Sequence, residues 1–160
     1  MDLFSGGRSE DFVKRTGAVV VTGGQRALYQ IDHDQIKMPD RTSFKSTSTS
    51  TATEAYYSTL FHELVHWSGA RDRCGRLFGS LIEEEVYARE ELVAELGAAF
   101  LCSRLEVTLV PRLDHAKYIS YWLKILRSEP SALMKAATAA SNAVDFLESI
   151  ALDQSGSDHQ

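Results

Sequence analysis

"TLFHELVHWSG", residues 59–69, sets His62 and His66 four positions apart, with Glu63 beside the first, inside an otherwise apolar run. On an α-helix, positions i and i+4 share a face, so both imidazoles reach one point while Glu63 stands one step round. This is the H-E-x-x-H arrangement, in which two ring nitrogens hold Zn²⁺ and the glutamate serves as general base. In a chain with five histidines the pattern arises by chance on the order of one time in a hundred. Its surroundings therefore have to support it. Leu60, Phe61, Leu64 and Val65 flank the three polar residues, the pattern of a helix buried beside a cleft.

The punctuation around this stretch is helical too. Thr51 followed by Glu54 fits a capping box, which starts a helix that runs through Ser68 to Gly69. Upstream, Ser9 is expected to cap a short helix over "EDFVKRTG" that Gly17 ends. "AVVVT" (18–22), the Gly23-Gly24 turn and "ALYQI" (27–31) read as a hairpin, and "DQIKMP" adds a third short strand that Pro39 stops. Residues 42–53 are mostly Ser and Thr and read as a surface loop. Downstream, "RDRCGRLFGS" (71–80) is aperiodic and reads as a connection. Ser80 and Glu83 then offer a capping box for a long helix to about Arg104. Pro111 and Asp114 open a third helix over "HAKYISYWLKILR", and Ser128 with Pro130 opens a fourth to about Leu152. Residues 153–160 read as a flexible tail. The sum is an α+β fold, mainly helical, with a small N-terminal antiparallel or mixed sheet ahead of the motif helix.

Composition narrows the function classes. With 160 residues, 44% of them apolar, the chain has material for one core, so residues 1–160 are expected to form a single domain. Cys74 and Cys102 lie far apart with no Cys-x-x-Cys pairing, which argues against a thiolate metal site or a disulfide framework. A net charge of -5 argues against strong nucleic-acid binding by this chain alone. The first residues lack a basic and then apolar leader, and no run approaches the roughly 20 apolar residues of a membrane span. A soluble cytoplasmic protein is expected.

A catalytic zinc site takes three protein ligands and leaves one position for water. Glu90, Glu91 and Glu95 cluster in an otherwise apolar, small-residue stretch of the next helix, and any of the three can supply the third ligand. Glu91 and Glu95 share a face, so Glu91 can bind the metal while Glu95 accepts the free ring N–H of a ligand histidine. Zinc held this way makes its water acidic near pH 7, and Glu63 can move that proton to a leaving amine. Metal-assisted amide hydrolysis follows, with an extended peptide added along "ALYQI" at a sheet edge. Donors to the oxyanion are sought among His115, Tyr118, Tyr56 and Tyr57.

Taken together, "YYSTLFHELVHWSG", "YAREELVAELGAAFLC" and "PRLDHAKYISYWLKIL" resemble the C-terminal zincin-like metallopeptidase domain of the ArdC family of anti-restriction proteins. The resemblance covers nearly the whole chain. It implies a zincin-like fold, His62 and His66 as metal ligands, Glu63 as general base and a glutamate of "EELVAE" as third ligand. Glu91 takes that place by similarity to the gluzincin order of ligand followed by supporting acid. The family's "DHAxYI" matches Asp114 to Ile119, which brings His115 and Tyr118 into the cleft. Where family members often carry "WTGH", this chain has Trp67, Ser68, Gly69 and Ala70, so the later histidine is missing. The family's N-terminal single-stranded-DNA-binding domain has no counterpart in these residues. The resemblance thus implies a zinc metallopeptidase acting on a protein, such as a host restriction or defence protein. The rival reading is a non-catalytic, metal-stabilised module that inhibits such an enzyme. Metal-dependent action on DNA fits less well, since two histidines and a glutamate beside a general base suit amide hydrolysis better than two-metal phosphodiester chemistry.

Overall fold

The computed structural model describes residues 3–76, 84–107 and 116–155. Helix α1 (Leu3–Thr16) leads to strands β1 (Val19–Thr22), β2 (Leu28–Gln30) and β3 (Gln35–Met38), and then to α2 (Ala52–Ser68), α3 (Glu84–Arg104), α4 (Ala116–Ser128) and α5 (Ala132–Ser155). Short 3-10 turns at Ile31–His33 and Arg41–Ser43 flank β3. The architecture is α+β, mainly helical with a small mixed sheet. No helix among the described residues is long and apolar enough to cross a membrane.

Helix α2 organises the fold. The Thr51 hydroxyl accepts from the Glu54 backbone N–H at 3.1 Å, and the Glu54 carboxylate accepts from the Thr51 N–H at 2.6 Å. Two otherwise orphaned donors are thereby satisfied and the start of the helix is set. From Leu60 to Ser68 every residue except His62 is buried, so α2 is a central helix rather than a surface one. Tyr57, Phe61, Leu64 and Val65 join Leu101 of α3, Val144 and Leu147 of α5, and Ile36 and Met38 of β3 in one core.

The sheet corrects the expected hairpin. Strand order is β1-β3-β2, with β3 parallel to β1 and antiparallel to β2. The Gly23 N–H donates to Met38 O at 2.9 Å and prolongs the β1–β3 ladder, instead of closing a turn onto β2. Gly23 and Gly24 both have positive φ, which lets the chain leave β1 and cross to the far edge of the sheet. Burial explains why β3 takes the centre: Ile36 and Met38 are fully buried while Gln35 and Lys37 alternate outward. The turn into β3 uses Asp34 in the left-handed region at φ 47.

The first helix also differs from expectation. Ser9 is not a cap but lies inside α1, on the buried face it forms with Phe12, Val13 and Thr16. That spacing is an inward helical stripe, and the serine serves there as a small residue. Gly17, at φ 76, ends the helix as expected. At the other end of the chain, α5 reaches Ser155, so residues 153–155 are helical rather than a frayed tail. The capping signals at Ser80 and Glu83 and at Pro111 and Asp114, and residues 156–160, lie outside the described residues.

Two contacts fix α3. A Cβ on Gly97 would lie 2.7 Å from Val65 Cγ2, so only glycine allows α2 and α3 to approach this closely. The Trp122 indole N–H donates to Ala88 O at 3.0 Å, tying α4 to the first half of α3.

Candidate metal centre

The approach of α2 to α3 brings His62, His66 and Glu91 together. Their ligand atoms all lie within 4.8 Å of one another. His62 Nε2 and His66 Nε2 are 3.1 Å apart, His66 Nε2 is 3.1 Å from Glu91 Oε1, and His62 Nε2 is 3.3 Å from Glu91 Oε2. Ligands about 2.0–2.1 Å from a tetrahedral zinc are separated by about 3.3 Å, and the three contacts are of that size, with Glu91 turning a different oxygen to each histidine. A divalent cation satisfies all three lone-pair donors at once, whereas a single proton between the two imidazoles leaves both histidine–Glu91 contacts as acceptor facing acceptor. The donor set therefore fits a metal, and among the described residues no fourth protein ligand joins it.

The outward ring nitrogens are equally well placed. His62 Nδ1 is 2.8 Å from Glu95 Oε1, and His66 Nδ1 is 3.2 Å from Glu90 Oε1. A histidine that donates its Nδ1–H to a carboxylate keeps the Nε2 lone pair for the metal and makes it more basic. Glu90, Glu91 and Glu95 thus divide the work: one faces both Nε2 atoms and the other two face one Nδ1 each. Spacing in the sequence left all three glutamates open as the third ligand, with Glu91 as ligand and Glu95 as acceptor of a ring N–H one arrangement among them. The 100° offset of Glu90 from Glu91 on the helix carries it to the far side of the His66 ring.

Arg76 was missed altogether, because it sits in the aperiodic stretch after α2. Its guanidinium spans both Glu90 oxygens, with Nε 3.2 Å from Oε2 and Nη2 3.1 Å from Oε1. It also donates to Val65 O at 2.6 Å and to Ser68 Oγ at 3.3 Å. No sequence period would have revealed it: Arg76 lies eight residues past the end of α2, beyond the reach of the helix dipole, and follows two other arginines, Arg71 and Arg73.

Electrostatics follow from burial and pairing. Burial by itself would depress His62, but hydrogen bonds to Glu91 and Glu95 outweigh it and push its pKa up to about 10. His66 moves the same way: burial opposes the charged form, and Glu90 and Glu91 more than compensate. Burial would raise Glu91, yet the two imidazoles hold it well below the usual carboxylate range. Glu90 is also lowered, by His66 and Arg76 against its burial. Glu63 behaves differently, since burial raises its pKa despite the nearby imidazoles. It receives a hydrogen bond from the Tyr29 backbone N–H, which places edge strand β2 against the site.

Other expected site residues fall elsewhere. The Tyr57 hydroxyl donates to Glu10 at 3.0 Å, and the Arg41 guanidinium, itself paired with Glu10, stacks over the Tyr56 ring at 4.4 Å. Both tyrosines therefore anchor α1 and the 41–43 turn to the start of α2, away from the histidine pair. His115 lies outside the described residues. Tyr118 is in α4, with its side chain likewise outside them.

A family model described as zincin-like metallopeptidase matches residues 7–139. An uncharacterized protein y4eC of Sinorhizobium fredii is 35% identical over 140 residues, 88% of this chain and 44% of its own length. A DNA primase TraC of Escherichia coli is 34% identical over 141 residues, 88% of this chain but 9% of the primase. Among solved structures, the Mn(II)-bound antirestriction protein ArdC from plasmid R388 superposes with a TM-score of 0.78 at 34% identity, covering 96% of this chain and 54% of ArdC. Its metal-free form gives 0.76 at 36% identity, covering 91% and 50%. The chain thus spans about half or less of the length of these relatives.

Proposed function

This chain belongs to the zincin-like metallopeptidase family, and on that premise we propose that it is a zinc-dependent peptidase domain of the ArdC type. Its substrate is a protein, and the antirestriction neighbour favours a host restriction or defence protein in the cytoplasm. The carrying observation is the set of three ligand-atom separations of 3.1–3.3 Å among His62, His66 and Glu91. Two imidazoles and one carboxylate at tetrahedral spacing suit Zn²⁺ better than the oxygen-rich octahedral shell Mn²⁺ prefers.

His62, His66 and Glu91 would hold the ion, which when bound supplies Lewis acidity and brings a water's pKa to about 7. Glu63 takes a proton from the water attacking the amide carbonyl and returns it to the leaving nitrogen. Glu95 and Glu90 accept the Nδ1 protons and fix each ring's tautomer. Strand β2 pairs with β3 on one side, and its other edge, touching Glu63 through Tyr29, can accept an extended peptide. His115 and Tyr118 are assigned as donors to the developing oxyanion. Support for that assignment is the match of Asp114 to Ile119 to the family's "DHAxYI".

The test compares zinc-loaded wild type with Glu63→Gln on proteome-derived peptides and in a restriction-protection assay. The proposal expects cleavage by wild type, at least a 100-fold loss in the variant, and zinc affinity equal within a few-fold. Protection that survives Glu63→Gln, with no cleavage by wild type, would instead make the domain a non-catalytic inhibitor of a restriction or defence enzyme.

A further inference from the structure

Resting on the metal centre proposed above, we infer that Arg76 is a positioning residue: it clamps Glu90 against His66 and so fixes the direction in which His66 Nε2 points. Glu90, which backs His66, keeps 9% of its side chain exposed and is held by Arg76, itself 13% exposed. A planar guanidinium that takes both oxygens of a carboxylate sets its orientation as well as offsetting its charge. The Glu90 Oε1 that Arg76 Nη2 meets at 3.1 Å is the same atom that faces His66 Nδ1 at 3.2 Å. Rotation of Glu90 would therefore break both contacts together.

The clamp is anchored to α2 on both sides of His66. Val65, whose carbonyl accepts from Nη2, precedes His66, and Ser68, whose hydroxyl meets Nη1, follows it by two residues. Arg76 thus references a carboxylate of α3 to the backbone that carries the ligand. Charge makes the same demand. Glu63, Glu90, Glu91 and Glu95 crowd one site, and a bound dication offsets two of the four, so a buried Glu90 without a cation beside it would be costly.

The test measures Zn²⁺ affinity by chelator competition, with the visible spectrum of Co²⁺-loaded protein as a second readout. Wild type is compared with Arg76→Met, Arg76→Lys, Glu90→Gln and the double variant Arg76→Met/Glu90→Gln. Arg76→Met and Glu90→Gln should each weaken zinc about 10- to 100-fold and shift the Co²⁺ bands. The double variant should be no weaker than Glu90→Gln by more than about threefold, because the arginine acts through the glutamate. Arg76→Lys keeps the charge but loses the fork, so it should also weaken zinc; it carries the test if Arg76→Met does not fold. Zinc affinity within threefold of wild type in the arginine variants, or losses that multiply in the double variant, would overturn the inference. Failure of wild type itself to bind zinc would overturn the metal centre first, which separates the two outcomes.

Discussion

Replacing Gly97 by alanine probes the contact that brings together the two helices carrying the proposed ligands. The added Cβ would stand 2.7 Å from Val65 Cγ2 and 3.0 Å from Cγ1, about 0.8 Å short of the low end of a normal carbon–carbon contact, about 3.5 Å. Val65 has no room to yield: it is fully buried, and a β-branched side chain in a helix has one strongly preferred rotamer. The helices must separate instead. Overpacking of this kind costs about 1–3 kcal/mol, and the better helix propensity of alanine returns about 1 kcal/mol, which leaves a net loss of about 1 kcal/mol. The larger consequence is at the site. A shift of about 0.8 Å between α2 and α3 exceeds the roughly 0.5 Å within which a functional constellation must be held, so zinc affinity should fall on the order of tenfold. Urea unfolding of metal-free protein gives the first quantity and chelator competition the second. Adding Val65→Ala removes the methyl groups the new Cβ meets and should restore zinc affinity to within a few-fold of wild type. A Gly97→Ala protein that binds zinc within threefold of wild type and unfolds at the same urea concentration would refute the idea that this approach sets the ligand geometry.

Glu95→Gln should weaken zinc about 10- to 100-fold by disturbing the 2.8 Å contact that orients His62, read again by chelator competition. Tyr57→Phe removes the hydroxyl donor to Glu10 and should cost about 1 kcal/mol of stability. It should leave zinc affinity and any peptidase rate unchanged, as a residue of the site would not. Hydrogen bonds from Arg73 hold the Asp34 carboxyl below its ordinary value, so this tie contributes stability above the unfolded pKa, about 3.9, and loses it as pH falls through the folded value. Thermal unfolding at pH 6 and pH 3 should therefore show a smaller acid-induced drop for Asp34→Asn than for wild type.

How much of this could be read from the chain depends on the range of the interactions involved. The capping box of Thr51 and Glu54 and the shared face of His62 and His66 are local, spanning about one helical turn, and both are present as the residue order implies. The strand segments were legible for the same reason, but their partners were not. A Gly-Gly pair is equally suited to a tight turn and to a crossover, and only the burial of Ile36 and Met38 against α2 decides that β3 lies between β1 and β2. Ser9 shows the reverse error, since a residue that caps helices well can also fill a small space on a buried face.

Residue types and their spacing by themselves determined a helix with two imidazoles on one side and a nearby carboxylate, because helical geometry converts sequence distance directly into direction. Which of Glu90, Glu91 and Glu95 faces which ring nitrogen was decided by the phase and depth at which α3 packs on α2, set at Gly97 and Val65. Arg76 entered the centre only through the path of the chain beyond Gly69. Contacts between separate segments depend on how whole surfaces fit, and no local period of the sequence encodes that fit.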